Sequence, residues 1–419
     1  MSGIIRGTCA ALAFSTALAA SAASAGQVVY WSMWNQTEPQ AIAIKKIMDA
    51  YTAAHPETTF SVVWNGRQNQ TKLRTALQGG IKVDLMDQDS DQLAGGLQKQ
   101  GLARDVSGDL TAETKAALLP GTLELFAEGK AIYQVPYIYN TVNIWYNKDL
   151  LAAAGGKIPA TYDDLLALCG KVRASDKYAL VIEGNVAFYN VAYFSHYLER
   201  KLGMGALVKL FEDKSGASWK QPAVLEAAEA ARALWDKECI AKDARGFQYP
   251  AGQQTIALGE TFGELVGSWL PTELAESAGK DFHWGAFSYP AVKDGVGKAT
   301  DLEVGLLSFM VLKAGPNGAD AAKFVNYALS ESAQKTIVGA GVGVVRKNIE
   351  WPAAVADAYK AASTATALGP FGGGLNISYP EFTSQVLNPE FNKMFLGETK
   401  PADFVEVLAS KTKAYWDAH

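Results

Sequence analysis

From Val28 onward the apolar positions switch between two periods. VVYWSMW (28–34) is a continuous apolar run of strand length, and TEPQAIAIKKIMDAYTAAHP (37–56) sets Ile44, Ile47, Met48 and Tyr51 at helical spacing. Thr37 reads as the N-cap of that helix, Glu38 falls in its first turn and Pro56 lies past its end. TFSVVW (59–64) is a second strand, NQTKLRTALQGG (69–80) a helix closed by glycines, and VDLMDQ (83–88) a third strand. Strand, helix, strand, helix, strand predicts a largely parallel sheet covered by helices. Such sheets hold ligands beyond the carboxyl ends of their strands, and WSMWNQTEPQ (31–40) falls there. Strand alternation sends one of its two indoles inward and the other outward; Trp31 is expected in the interior and Trp34 at the surface of a cleft.

The middle of the chain continues with YQVPYIYNTVNIWYNKDLL (133–151). A helix start follows at Pro159-Ala160-Thr161, where Asp164 completes a capping box. Helical spacing recurs at 191–202, 222–238, 319–338 and 401–416, and strand runs at 283–292 and 303–315. GSWLPTELAES (267–277) repeats the opening arrangement, a Trp in the turn that starts a helix. LGPFGGGLNISYPEF (368–382) is a glycine-rich loop. No internal repeat, low-complexity tract or long linker interrupts the pattern, which favours two lobes sharing crossing strands over two independent domains.

Composition narrows the class. Arg6, the small apolar run through Phe14 and Leu18, and Ala23-Ser24-Ala25 read as an export signal at 1–25, with the mature chain starting near Gly26. Only Cys169 and Cys239 then remain; they form one disulfide or stay as two unpaired buried thiols, and either way a cysteine-built metal site is excluded. A formal net charge of -5 argues against a nucleic-acid partner. Ten Trp and seventeen Tyr are the conspicuous feature.

Catalytic and cofactor signatures are missing. The four histidines, His55, His196, His283 and His419, have no metal-ligand spacing, and no G-x-S-x-G elbow, P-loop or dinucleotide fingerprint occurs. No cofactor and no metal is expected. In DLMDQDSDQL (84–93), Asp87, Asp89 and Asp91 alternate at a strand end; paired carboxylates of this kind are what a glycoside hydrolase needs, although a solvated loop or helix cap explains them more simply.

In their order along the chain, KLRTALQGGIKVDLMDQDSDQL (72–93), VPYIYNTVNIWYNKDLL (135–151), GSWLPTEL (267–274) and EVGLLSFMVLKAGPNGADAAKFVNYALS (303–330) resemble the extracellular solute-binding proteins of carbohydrate ABC importers, the group of maltose-binding-like proteins. YNKDLL after an aromatic strand is the most specific of these. The resemblance implies an α/β, two-lobed periplasmic-binding-protein fold of type II, with the ligand in a cleft between lobes joined by crossing hinge segments. It implies an N-terminal lobe of 26–136 plus 302–347 and a C-terminal lobe of 137–301 plus 348–419. It also implies a monomer in the periplasm whose partners are a small-molecule carbohydrate and ABC permease subunits, acting as a carrier and not an enzyme.

A sugar shows hydroxyls at its edge and C–H patches on its faces, so its site needs aromatic platforms and a few placed polar groups. At the positions implied by the resemblance, the first lobe offers Trp34, Asn35, Arg67, Asp87 and Asp89. The second offers Tyr139, Asn140, Tyr189, Trp269, Asn376 and Tyr379, with Tyr189 preferred to Phe188 for its hydroxyl. Asn140 stands where relatives place a carboxylate, which leaves the identity of the sugar open. Arg67 and a helix N-terminus near Thr37 motivate an alternative, an anionic sugar derivative in the same import role. A secreted glycoside hydrolase using Asp87 and Asp89 is the rival from the enzyme class.

Overall fold

The computed structural model describes residues 26–419, so the segment 1–25 read as an export signal, with its Ala23-Ser24-Ala25 motif, lies outside the described residues. Nine strands form the framework: β1 Gln27–Ser32, β2 Thr59–Trp64, β3 Leu85–Asp89, β4 Val135–Asn147, β5 Tyr178–Leu180, β6 Thr261–Gly267, β7 Trp284–Phe287, β8 Asp301–Val311 and β9 Ala367–Pro370. Their order is β2-β1-β3-β8-β4-β6-β5, with β7 paired to β4 and β9 to β8. The expected parallel start is present, since β1 pairs in parallel with both β2 and β3. The pairs β3–β8, β4–β8, β4–β6 and β4–β7 are antiparallel, while β5–β6 and β8–β9 are again parallel.

The two longest ladders decide the shape. β4 runs antiparallel to β8 from Val135↔Phe309 to Thr141↔Val304, and from Val142 onward it pairs with β6 and β7 instead. One strand thus belongs to two sheets, with the change of partners between Thr141 and Val142. Every residue of β4 is buried, as expected for a strand covered on both faces. Two large apolar clusters form around these sheets. One is built from β1, β8 and the helices Pro39–Ala54, Gly318–Ala328 and Glu331–Val338. The other surrounds the helices Ala187–Leu202, Pro222–Asp236 and Pro401–Ala418. Tyr189 and Trp269 pack against both clusters.

Local signals were mostly realised. Thr161 and Asp164 make the reciprocal capping box at the start of helix Tyr162–Arg173. The first helix differs: it begins at Pro39 with Glu38 in the cap position, not Thr37. Proline suits the first helical position because its fixed φ is already helical, and the Glu38 carboxylate is thereby turned toward the Asn35 N–H and Arg67. The run 319–338, read as one helix, is two. Ser330 adopts an extended backbone, ψ 158°, and its hydroxyl accepts from the Ala333 N–H at 3.4 Å, ending one helix and capping the next.

Cys169 and Cys239 are bonded, tying helix Tyr162–Arg173 to the segment after Pro222–Asp236 inside the second cluster. The bond closes a loop of 70 residues, for which chain-entropy arguments give about 4 kcal/mol as an upper figure. A Cys169→Ala/Cys239→Ala variant is therefore expected to lose about 2–4 kcal/mol in a denaturant titration.

Candidate functional site

Where β1, β3 and β4 meet the turn after β6, the two halves of the molecule face each other across a cleft with two adjoining chambers. The larger, about 410 Å³, lies between Trp34, Arg67 and Glu38 on one side and Trp269, Thr272 and Glu273 on the other. The smaller, about 280 Å³, lies between Asp89, Asp91 and Phe126 and the rings of Phe188, Tyr189 and Phe371. Asp89, Asn140, Tyr189 and Trp269 line both. Each chamber approaches or falls within the size range of small-molecule sites. A groove of about 450 Å³ near Leu118, Leu123 and Lys347 is slightly larger but lacks such convergent aromatic and polar groups.

Trp34 is held from beneath by a chain of hydrogen bonds. Its Nε1 donates to the Tyr137 hydroxyl at 2.8 Å, Tyr137 donates to Asp87 Oδ2 at 2.7 Å, and Asp87 Oδ1 accepts the Met33 N–H at 3.0 Å. Burial pushes the Asp87 carboxyl up to about 6, opposed by these donors. Beside the ring, the Arg67 guanidinium sits 4.7 Å from its centroid. Arg67 is already engaged, through Nη1 with the Met33 carbonyl at 2.9 Å and through Nη2 with Glu38 Oε1 at 2.9 Å.

On the facing side, Trp269 opens the short helix Leu270–Glu273. A Cβ at Gly267 would lie 1.9 Å from the Trp269 ring, so the absence of a side chain there is what gives the indole its place. Ser268 ties the turn to β4, donating to Asn140 Oδ1 at 3.2 Å and accepting the Thr141 N–H at 3.2 Å. Trp269, Tyr189 and Phe371 form a ring of aromatics: centroids lie 6.1 Å apart for Tyr189–Trp269, 5.7 Å for Tyr189–Phe371 and 5.9 Å for Trp269–Phe371.

A family model described as "Bacterial extracellular solute-binding protein" matches residues 34–335. The chain belongs to this family. Among curated relatives, a lactose-binding protein of Rhizobium radiobacter is 25% identical over 342 residues, covering 77% of this chain and 74% of the relative. Among solved structures, apo RafE of Streptococcus pneumoniae superposes with a TM-score of 0.79 at 18% identity, covering 93% of this chain and 98% of RafE. The GacH receptor of Streptomyces glaucescens gives 0.70 at 17% identity, covering 94% and 100%. These likenesses establish the fold, a two-lobed α/β solute-binding protein of type II, as the sequence led us to expect.

Of the residues singled out in the sequence of this solute-binding protein, Trp34, Arg67, Asp89, Asn140, Tyr189 and Trp269 line the cleft. The structure does not bring the other five to it. Asp87 is enclosed beneath Trp34. Tyr139 is fully buried with its ring 5.8 Å from Trp351, because on β4 Ile138 and Asn140 face the cleft and alternation turns Tyr139 away. Asn35 is exposed, its side chain lying over Gly66. Asn376 and Tyr379 follow Gly372, Gly373 and Gly374, which take φ of 71°, 71° and 77°. That left-handed turn, which only glycine adopts freely, stops Phe371 at the cleft and sends Tyr379 onto Phe211 and Trp416.

Several lining residues went unrecognised in the sequence. Glu38 and Glu273 each follow a Trp turn by four residues, a parallel visible in WSMWNQTE and SWLPTE. Phe371 sits at the mouth of the glycine run, and Asp91 is the third acid of an alternating set. Burial, and then the neighbouring Asp89 carboxylate, push Asp91 up to about 7. Asp89 is also raised by burial, with Arg67 opposing.

Two outcomes are expected. Gly267→Ala should displace the Trp269 indole, seen as a shift in tryptophan fluorescence and a loss of ligand affinity of about tenfold or more, since a well-packed core position has no room for a methyl group. Because Asp91 is raised in the folded chain, the fold takes up a proton between the ordinary aspartate range and about 7. Its contribution is present below about 4 and is lost as the pH rises through about 7. Asp91→Asn should therefore stabilise the unliganded protein at pH values above that range, with the gain shrinking toward acid, as read from melting temperatures.

Proposed function

We propose that this protein is the substrate-binding component of an ABC importer, holding a sugar in the cleft between its lobes and presenting it to the membrane permease. The observation that carries this reading is the opposition of Trp34 on one side and Trp269 with Tyr189 on the other, with Asp89 and Asn140 lining both chambers between them. Indoles suit the C–H faces of a pyranose, and carboxylate and amide groups suit its hydroxyls. The names of relatives support the same class: one is a lactose-binding protein, RafE also occurs in complex with raffinose, and GacH in complex with acarbose. Cleft residues Trp34, Arg67, Asp89, Asn140, Tyr189 and Trp269 are the ligand contacts in this reading.

The lobe division we propose is 26–136 with 302–347 and 137–301 with 348–419. The exchange of β4 partners and the return of the chain through β8 support it. A ligand touching both lobes stabilises the closed form by the difference between its contacts in the closed and open arrangements. Transfer of the cargo then needs only reopening, so the protein works as a periplasmic monomer without a cofactor and without chemistry of its own. Asp87 is committed to Tyr137 and Met33, which removes one partner of the Asp87/Asp89 pair that a hydrolase requires. Nor does Arg67 favour an anionic cargo, because Glu38 already neutralises it.

A thermal-shift and calorimetric screen over mono- and oligosaccharides tests the reading, since a ligand of the folded state raises its melting temperature by mass action. Micromolar affinity corresponds to roughly -8 kcal/mol. Trp269→Ala should cost about tenfold or more in affinity for the best ligand while leaving the unliganded melting temperature within a few degrees. Labelled oligosaccharides should be recovered intact, and turnover would defeat the proposal.

A further inference from the structure

The charges around the cleft are unbalanced. Four carboxylates line its two chambers, Glu38, Asp89, Asp91 and Glu273, against one guanidinium, Arg67. That guanidinium is spoken for: Glu38 holds it through both nitrogens, at 2.9 and 3.2 Å, and it lies against Trp34. In the smaller chamber Asp89 and Asp91 face the cavity together. The side-chain amides of Gln88 and Gln92 both donate to Asp89 Oδ2 at 3.2 Å, so neither engages Oδ1. Asp91 receives the Gln92 N–H on Oδ1 at 2.7 Å. Opposite stand the rings of Tyr189, Trp269 and Phe371, with centroids 5.7–6.1 Å from one another.

A further acid lies behind the wall. Glu264 on β6 is buried, neither of its carboxylate oxygens has a hydrogen-bond partner, and burial followed by the charges of Glu183 and Glu273 drives it toward the neutral acid.

We propose that the smaller chamber seats a cationic nitrogen of the ligand between the Asp89–Asp91 carboxylates and the Tyr189–Trp269–Phe371 rings, so that the cargo is an amine-bearing sugar. Neutral hydroxyls satisfy the carboxylate lone pairs but leave the repulsion between Asp89 and Asp91 in place. An acidic sugar adds to that repulsion. An ammonium group relieves it and is also attracted to the negative faces of the aromatic rings. A 2-amino-2-deoxyhexose, free or as the terminal unit of a glycoside, meets both demands while keeping the C–H face that Trp34 or Trp269 covers. The inference rests on the sugar-binding reading, and one titration series separates the two.

The mature chain is titrated calorimetrically with glucosamine and galactosamine, their N-acetyl forms, glucose, galactose, galacturonic acid and choline. The expected result is that at least one amino sugar binds about tenfold or more tighter than both its N-acetyl form and its parent hexose. In Asp91→Asn, whose folding is checked by its melting temperature, that ratio should fall by about tenfold. If neutral or N-acetylated sugars bind as well as the amines, or if the ratio survives Asp91→Asn, the cationic assignment is overturned and sugar binding stands. If choline binds and no sugar does, the cationic chamber stands and the sugar reading falls. Binding by none of these probes overturns the cationic assignment, and the sugar reading then stands or falls by the oligosaccharide screen.

Discussion

The antiparallel ladder between β4 and β8 is the constraint on which the rest of this molecule depends. Backbone groups inside a protein must be paired, and here the two strands satisfy each other from Val135↔Phe309 to Thr141↔Val304. β4 then changes partners to β6 and β7, so the same strand carries the first half of the molecule into the second. The cleft opens where that exchange occurs. Ile138, Asn140, Gly305 and Leu307, all on these two strands, are its floor.

The walls are arranged by interactions that are themselves out of reach of a ligand. Asp87, Tyr137 and the Met33 N–H form a buried polar chain that ends on the Trp34 indole. A buried network of this kind is costly if any member is missing and rigid when complete. On the other side Gly267 makes room for Trp269, and Ser268 fastens its turn to Asn140 and Thr141. Both platforms are thus set before any ligand arrives, so little binding energy is needed to order them.

The electrostatics of the cleft follow from the same architecture. Asp89 and Asp91 stand together because the chain passes from β3 straight into a helical turn, and Arg67, the one cation among the described residues that line their chambers, is held by Glu38. The cleft is therefore poised to accept donors and cations, and its aromatic walls are compatible with both.

The sequence by itself determined the local elements and the class of the fold. The switch of apolar period marked β1 to β3 and their helices, Thr161 and Asp164 announced a capping box, and the order of the motifs marked a two-lobed binding protein. These are short-range signals, read within a turn or a strand. Of the six residues expected at a site that reached the cleft, Trp34, Arg67, Asp89 and Trp269 stand at strand ends or turns whose direction is local, whereas Asn140 lies within β4 and Tyr189 in the first turn of helix Ala187–Leu202. Tertiary structure decided the rest. Whether Asp87 or Asp89 faces outward depends on Tyr137, fifty residues along the chain in the Asp87 pairing. Three consecutive left-handed glycines turned Asn376 and Tyr379 away and left Phe371 in their place. Ser330 broke a helix that periodicity alone joined. The pairing of Cys169 with Cys239 and the neutralisation of Arg67 by Glu38 likewise needed distances between segments remote in sequence, which no periodic pattern encodes.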